Sequence, residues 1–197
     1  MHGETNSTGE FTKKQGRVLV DLARNTIANR LGKTGSSEQP ETALSSDAFQ
    51  RRRGTFVTLK KQGQLRGCIG SLSADESVAE GVRRNAINAA FHDPRFNPLS
   101  EDELEQVTVE VSILSEPKSL HYEDANDLVA KLRPNIDGVI LRKGYHSATF
   151  LPQVWEQLKN PEDFLLHLCR KAGLAGDAWR TSKLEILTYQ VEYFEEH

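Results

Sequence analysis

The sequence is poor in cysteine, with only Cys68 and Cys169 among 197 residues. Two cysteines are too few for the disulfide framework of a small secreted domain. Neither lies in a Cys-x-x-Cys or Cys/His cluster with the spacing of zinc ligands. We therefore expect a reduced, cytosolic protein, predict no metal site and assign no cofactor.

Long apolar runs and a large excess of one charge are also missing. No stretch approaches the roughly 20 apolar residues that cross a bilayer, and the N-terminal "MHGETNSTGE" lacks the basic start and apolar run of a signal peptide. The formal net charge of -3 argues against a surface built for nucleic acid. The composition, 37% hydrophobic and 27% charged, is that of a globular protein with a buried core.

Apolar periodicity and turn residues predict an alternation of helices and strands. Residues 1–11 are predicted to be a disordered lead-in, and residues 12–197 a single domain with a polar loop at 34–47. Helices are predicted over 12–31, 76–91, 123–133 and 160–173, with a further one after Pro152. Thr12 is predicted to cap the first and Asp75 the second, and the capping-box pair of Ser100 and Glu103 is predicted to start a short acidic helix. Strands are predicted in "GTFVTLKKQGQLRGCIG", "QVTVEVSIL", "GVILRKGYHSATFL" and "LEILTYQVEYF", the last as one continuous strand.

The register of the first predicted hairpin decides where the thiol of Cys68 points. A two-residue Gln62-Gly63 loop would set Cys68 opposite Val57, whereas a type I turn with a bulge at Gly63 would set it opposite Phe56. The second register is predicted because it separates apolar from polar side chains. Its apolar face contains Val57, Leu59, Leu65, Gly67 and Ile69, and its polar face contains Phe56, Thr58, Lys60, Gln64, Arg66 and Cys68.

Cys68 is the first candidate catalytic residue. On the polar face, the cations of Arg66 and Lys60 would favour a nucleophilic or metal-binding thiolate. Arg66, Gly67 and Gly70 are also predicted to bind the substrate, because the two glycines would let it approach the strand closely. The alternative is an inert, packed cysteine, because free cysteine is among the most buried residue types.

The segment "HDPRF" after the predicted 76–91 helix is a second candidate. His92 would act as a general base oriented by Asp93, while Arg95 and Phe96 would bind an anionic substrate. The alternative is structural, because a histidine is favoured at a helix C-terminus and Asp-Pro is common in turns.

Glu110 points away from the core face of its predicted strand. It is a candidate to complete a catalytic charge set with Arg66, although an outward glutamate on a half-exposed strand is often simply solvated. Cys169 falls on the apolar stripe of its predicted helix and is assigned to the core.

The order of several segments resembles a known family. "LRGCIG", preceded by "GTFVTL" and followed by "AAFHDPRF", "VEVSILSEP", "ATFLPQVW" and "FLLHLCRKAGL", is similar to the AMMECR domain family, called AmmeMemoRadiSam system protein A in prokaryotes. The resemblance implies an α+β fold with two unequal, intertwined subdomains, mainly antiparallel sheets, flanking helices and a cleft near LRGCIG. It also implies genomic association with a Memo-like protein and a radical-SAM protein, without an established activity.

Two functions stay open at this point. The first is an enzyme, or a subunit of an enzyme system, in which Cys68 modifies a substrate together with the Memo-like and radical-SAM partners. The second is a non-catalytic binding or scaffold module of the same system, in which Cys68 only packs.

Overall fold

The computed structural model describes residues 11–33 and 44–196. The predicted lead-in up to residue 10 and the polar loop over 34–43 lie outside the described residues. Phe11 is buried and lies 6.5 Å, between ring centroids, from Phe49. Phe11, which was predicted to be the last residue of the disordered lead-in, is therefore part of the packed core.

The described helices and strands alternate along two compact units. The first unit runs to Leu114 and resumes at Glu192, and the second is Ser115–Val191. The elements in chain order are α1 Lys13–Arg30, α2 Asp47–Gln50, β1 Thr55–Lys61, β2 Gln64–Ser71, α3 Val78–Phe91, α4 Glu101–Leu104, β3 Val107–Leu114, β4 Lys118–Ser119, α5 Ala125–Lys131, β5 Gly138–Lys143, β6 His146–Phe150, a 3-10 helix Pro152–Glu156, α6 Pro161–Lys171, α7 Ala178–Thr181, β7 Glu185–Tyr189 and β8 Val191–Glu195.

Each unit contains one four-stranded antiparallel sheet. The strand order is β2-β1-β3-β8 in the first unit and β4-β7-β5-β6 in the second. The predicted α+β class is confirmed by this combination of helices and antiparallel sheets. Among the described residues, no helix is both long and apolar enough to span a membrane.

Helix starts follow local capping chemistry. Thr12 caps α1 as predicted and forms a capping box with Gln15. The prediction that Asp75 caps the next helix was wrong, because Ser77 caps α3 and forms its own capping box with Glu80. A complete box satisfies two helix-end donors at once, which explains the start two residues later.

The core of the first unit lies on one face of its sheet. Apolar side chains of β1 and β3 pack there against α1 and α3 in a single cluster, which includes Val57, Leu59, Val109, Val111, Leu19, Ile27, Val82 and Ala86. Each of these side chains is almost completely buried. Because strand side chains alternate, the intervening residues of β1 and β3 lie on the opposite face.

The turn of the β1–β2 hairpin differs from the predicted one. Gln62 and Gly63 both have positive φ, 53° and 76°, and Lys61 pairs with Gln64. This is a two-residue loop of the type I′ kind, whose twist matches that of the strands. The predicted bulge at Gly63 was therefore wrong.

The bulge lies instead at Arg66. Lys60 pairs with Leu65, but Leu59 pairs with Gly67, so Arg66 is the extra residue on β2. Leu65 was predicted on the apolar face, but the two-residue turn pairs it with Lys60 on the polar one, where its exposed fraction is 46%. Beyond the bulge the alternation is restored, and Cys68 lies on the predicted polar face.

The chain's last strand segment is divided between the sheets. "LEILTYQVEYF" was predicted as one strand, but β7 and β8 are separated by Gln190 and belong to different sheets. Both halves have alternating side chains, so periodicity alone did not indicate the break.

The second unit is built around stacked aromatic rings. Trp155 and Phe164 are fully buried with ring centroids 3.7 Å apart and an angle of 6° between their planes. The indole N–H of Trp155 donates to the main-chain carbonyl of Asp137 at 2.7 Å. Cys169 belongs to the same cluster and is fully buried, as predicted.

Candidate functional site

Cys68, Thr58 and Glu110 form a row across three strands of the first sheet. Thr58 of β1 pairs with Cys68 of β2 on one side and with Glu110 of β3 on the other. All three are half-buried and lie on the face opposite the apolar core. The Thr58 hydroxyl donates a hydrogen bond to the Sγ of Cys68 at 3.2 Å.

At the Glu110 end of this row, Lys60 forms ion pairs with two glutamates. The Nζ of Lys60 lies 2.8 Å from Glu110 and 3.0 Å from Glu195. The hydrogen bond with Glu110 raises the pKa of Lys60 above its ordinary value. Glu110 was predicted to complete a set of charges with Arg66, but it is paired with Lys60 instead. The bulge takes Arg66 out of the regular alternation of β2.

Arg66 points to α4 and to the segment before it. Its guanidinium makes two hydrogen bonds with the carboxylate of Glu103 and a third, of 2.9 Å, with the carbonyl of Asn97. It also lies 5.7 Å from the centroid of the Phe96 ring. These contacts hold the bulge of β2 against the chain that follows α3.

Glu103 is strongly ionised in this setting. Hydrogen bonds from Arg66, then from Lys61 and the main chain of Ser100, lower its pKa from 4.5 to about 2. A carboxyl group whose folded pKa is depressed stabilises the fold above the unfolded pKa and loses that contribution as the pH falls toward the folded value.

We therefore expect Glu103→Gln to change the acid sensitivity of the protein. The stability advantage of the wild type over this variant should be greatest above pH 4.5 and should fall by about 1–2 kcal/mol between pH 5 and pH 2.5, allowing for partial solvent screening. Urea denaturation at several pH values measures this difference. The exposed neighbour Glu101 provides the control, Glu101→Gln, and equal pH profiles of wild type and Glu103→Gln would contradict the assignment.

Asp93 is buried where the chain leaves α3. Its side chain is 1% exposed and receives hydrogen bonds from the guanidinium and the main-chain N–H of Arg95. It also accepts the main-chain N–H of Cys68 at 2.9 Å. The Arg95 guanidinium holds the pKa of the Asp93 carboxyl well below its usual range, and the pKa of Arg95 is raised in return.

His92 is hydrogen-bonded to α3 and is not part of this arrangement. The structure places its exposed Nδ1 3.1 Å from the side-chain oxygen of Asn88, one helical turn earlier. Asp93, predicted to orient His92, contacts Arg95 and Cys68 instead. The structure therefore brings Asp93 and Arg95, but not His92, to the strand that carries Cys68.

The glycines around Cys68 lie against protein atoms. A Cβ added to Gly67 would lie 2.3 Å from the carbonyl oxygen of Ala89 in α3, and one added to Gly70 would lie 2.2 Å from the Phe56 ring. Gly67 thus lets α3 approach the core face of β2. These contacts give both glycines a packing role, beside the role predicted for them in substrate approach.

Two contributors to the site were not indicated by the sequence as functional residues. Thr58 was predicted only as a polar-face residue, and Glu103 only as part of the capping box with Ser100, which is confirmed. The signal for Thr58 was its place in the β1 alternation, which fixes its face but not its strand partner. In the part of the chain that the structure describes, no group of three or more His, Cys, Asp or Glu residues is arranged to hold a metal ion.

The fold and sequence are similar to those of known proteins. The AMMECR1 family model matches residues 20–194. A protein of Methanothermobacter thermautotrophicus is 36% identical over 94% of this chain and 96% of its own length, and one of Methanosarcina mazei is 39% identical over 94% of each. The crystal structure of an uncharacterized protein from Pyrococcus horikoshii superposes with a TM-score of 0.78 at 31% identity, covering 96% of this chain and 95% of that one.

Proposed function

Because the chain belongs to the AMMECR1 family, we propose that it is a subunit of a substrate-modifying enzyme system in which the thiol of Cys68 is the reacting group. The observation that carries this proposal is the position of Cys68, half-buried and on the polar face of the sheet. A thiol must reach its substrate to react, and this face leads away from the core.

The two cysteines of the chain differ in the way that this proposal requires. Cys169 is fully buried, and burial raises the pKa of its thiol, which disfavours the reactive thiolate. Cys68 retains exposure and has the hydroxyl of Thr58 as its partner. Cys169 is therefore an internal reference for the reactivity of Cys68.

Polar groups near Cys68 support a role in binding a substrate. Thr58 offers a hydroxyl beside the sulfur, and the Lys60–Glu110 ion pair provides a donor and an acceptor farther along β1 and β3. In this proposal a substrate lies along the row Cys68, Thr58 and Glu110, and the Memo-like and radical-SAM proteins act before or after it. Those two partners are proposed from the family resemblance alone.

Cys68→Ala is expected to abolish the proposed activity. A strain that lacks the protein should accumulate the unmodified substrate, and the Cys68→Ala gene should fail to reverse that change, whereas Cys169→Ala should reverse it. Metabolite profiling of the wild type, the deletion strain and the two complemented strains measures this. In the purified protein, iodoacetamide should label Cys68 about a hundredfold faster than Cys169, because a buried thiol reacts only after local opening.

Full complementation by Cys68→Ala would exclude a reacting thiol. Equal labelling rates for the two cysteines under native conditions would also contradict the proposal, because they would mean that Cys68 is as inaccessible as a core residue. Peptide mass spectrometry resolves the two sites, since they lie more than 100 residues apart.

A binding or scaffold module is the second candidate. Arg66 and Arg95 were predicted to bind substrate and Asp93 to orient His92, but each of the three is ion-paired within the protein. This observation favours a fixed surface over a catalytic centre. Complementation by Cys68→Ser, together with co-purification of the Memo-like and radical-SAM proteins, would support this second function.

A further inference from the structure

Cys68 lies on an edge strand, so its outward main-chain groups need hydrogen-bond partners other than a neighbouring strand. β2 is the outer strand of the order β2-β1-β3-β8. The main-chain groups that point outward from such a strand have no neighbouring strand to bind, and an unpaired edge is prone to movement and aberrant pairing.

The outward groups of Cys68 are paired with side chains. Its N–H donates to Oδ2 of Asp93 at 2.9 Å, and its carbonyl accepts from Nη2 of Arg95 at 3.0 Å. A carboxylate and a guanidinium thus provide the acceptor and the donor that a paired strand would supply. Since both main-chain groups face outward, Thr58 and Cys68 form a non-hydrogen-bonded pair, the kind in which side chains are closest.

The side chains of Asp93 and Arg95 are also hydrogen-bonded to each other. Nε and Nη2 of Arg95 lie 2.9 Å and 2.7 Å from the two oxygens of Asp93. The Arg95 guanidinium also lies 5.5 Å from the centroid of the Phe96 ring. Asp93, Arg95 and the peptide groups of Cys68 therefore form a closed ring of charge-assisted hydrogen bonds.

We infer that Asp93 and Arg95 are positioning residues that hold the main chain of Cys68 at the sheet edge and thereby aim its thiol at Thr58. The side chain of Cys68 has one rotatable bond between its main chain and its sulfur, so the position of the main chain largely determines where Sγ lies. We call the pair Asp93 and Arg95, with its hydrogen bonds to the main chain of Cys68, the clamp. The inference rests on the proposed function for the importance of the thiol, but the existence of the clamp can be tested independently. Asp93 and Arg95 change in role from the predicted base-orienting and substrate-binding residues to supports of the strand.

The chain provides a matched control in its second unit. Arg133 and Asp137 form a similar pair, with an arginine 54% exposed and an aspartate side chain 3% exposed, against 53% and 1% for Arg95 and Asp93. Asp137 also accepts the main-chain N–H of Arg133 at 3.0 Å. Asp137→Asn therefore removes a comparable buried charge without touching β2.

The test is amide hydrogen exchange at Cys68, measured by NMR on the full chain. Asp93→Asn should accelerate exchange of this amide at least about tenfold, because a charged acceptor is lost from its hydrogen bond. Arg95→Gln should do so to a smaller extent and Arg95→Lys less again, because lysine keeps one charged donor. Asp137→Asn should leave the Cys68 amide unchanged.

Arg95 is half exposed, so its variants keep the test valid if Asp93→Asn fails to fold. Unchanged exchange at Cys68 in the Arg95→Gln protein would overturn the clamp. The same variants are then placed in the deletion strain. Loss of complementation by Asp93→Asn or Arg95→Gln, with Asp137→Asn still active, is the result expected of positioning residues.

Failure of the clamp and failure of the proposed function give different results. If Cys68→Ala complements, the thiol is not the reacting group, and the exchange data alone decide whether the clamp exists. If Cys68→Ala is inactive while an Arg95→Gln protein with faster exchange complements fully, the positioning role is overturned and the thiol proposal stands.

Discussion

Replacing Gly67 with alanine is expected to lower the free energy of unfolding by about 3 kcal/mol, the upper part of the range for overpacking a core. The added Cβ would lie 2.3 Å from the carbonyl oxygen of Ala89, a main-chain atom of α3. A helix cannot move one carbonyl aside without shifting its neighbours, so α3 or β2 must be displaced. Urea denaturation followed by far-ultraviolet circular dichroism measures the change.

The control for Gly67→Ala is Gln64→Ala on the same strand. Gln64 is exposed at the start of β2, so this variant should stay within about 0.5 kcal/mol of the wild type. A loss below about 1 kcal/mol for Gly67→Ala would show that α3 and β2 are not packed as closely as described.

Trp155→Ala is expected to destabilise the second unit by about 4 kcal/mol, within the range measured for buried aromatic residues. The indole is fully buried and stacked on Phe164, and its N–H is the hydrogen-bond donor to the Asp137 carbonyl. The substitution leaves both a large cavity and a buried acceptor without that donor. The fluorescence of Trp179, which lies in the same unit, reports on its unfolding.

Tyr145→Ala is the matched control for this aromatic deletion. Tyr145 is fully exposed at the β5–β6 turn, and removing it should change the free energy of unfolding by no more than about 0.5 kcal/mol. If Trp155→Ala were as mild as Tyr145→Ala, the aromatic stack would not be the centre of that core.

The face on which the thiol lies was predicted correctly, but the turn and register of the hairpin were not. Cys68 was expected on the polar face of the hairpin, and the structure places it there. The expected turn and bulge were both wrong, however, and the two errors compensated each other. An extra residue in the hairpin, whether at Gly63 or at Arg66, moves every later side chain of β2 to the opposite face of the sheet. Cys68 therefore reaches the polar face in either case.

The surroundings of Cys68 were predicted less well, because they depend on contacts distant in sequence. Arg66 was expected beside the thiol, but the bulge turns it to Glu103, 37 residues later. Asp93 was expected to serve His92 next to it, but it serves Cys68, 25 residues earlier. In each case a charged side chain has several possible partners, and only the packing of α3 and the chain after it against β2 selects one.

The amino-acid sequence by itself determined the alternation of helices and strands, the helices capped by Thr12 and Asn160, the burial of Cys169 and the face on which Cys68 lies. These features depend on capping residues and side-chain periodicity, which act over a few neighbouring residues. Tertiary structure alone decided the division of the last strand segment between two sheets and the pairing of Cys68 with Asp93 and Arg95. Such features require main-chain and charged groups from distant segments to meet, and local periodicity contains no information about which segments those are.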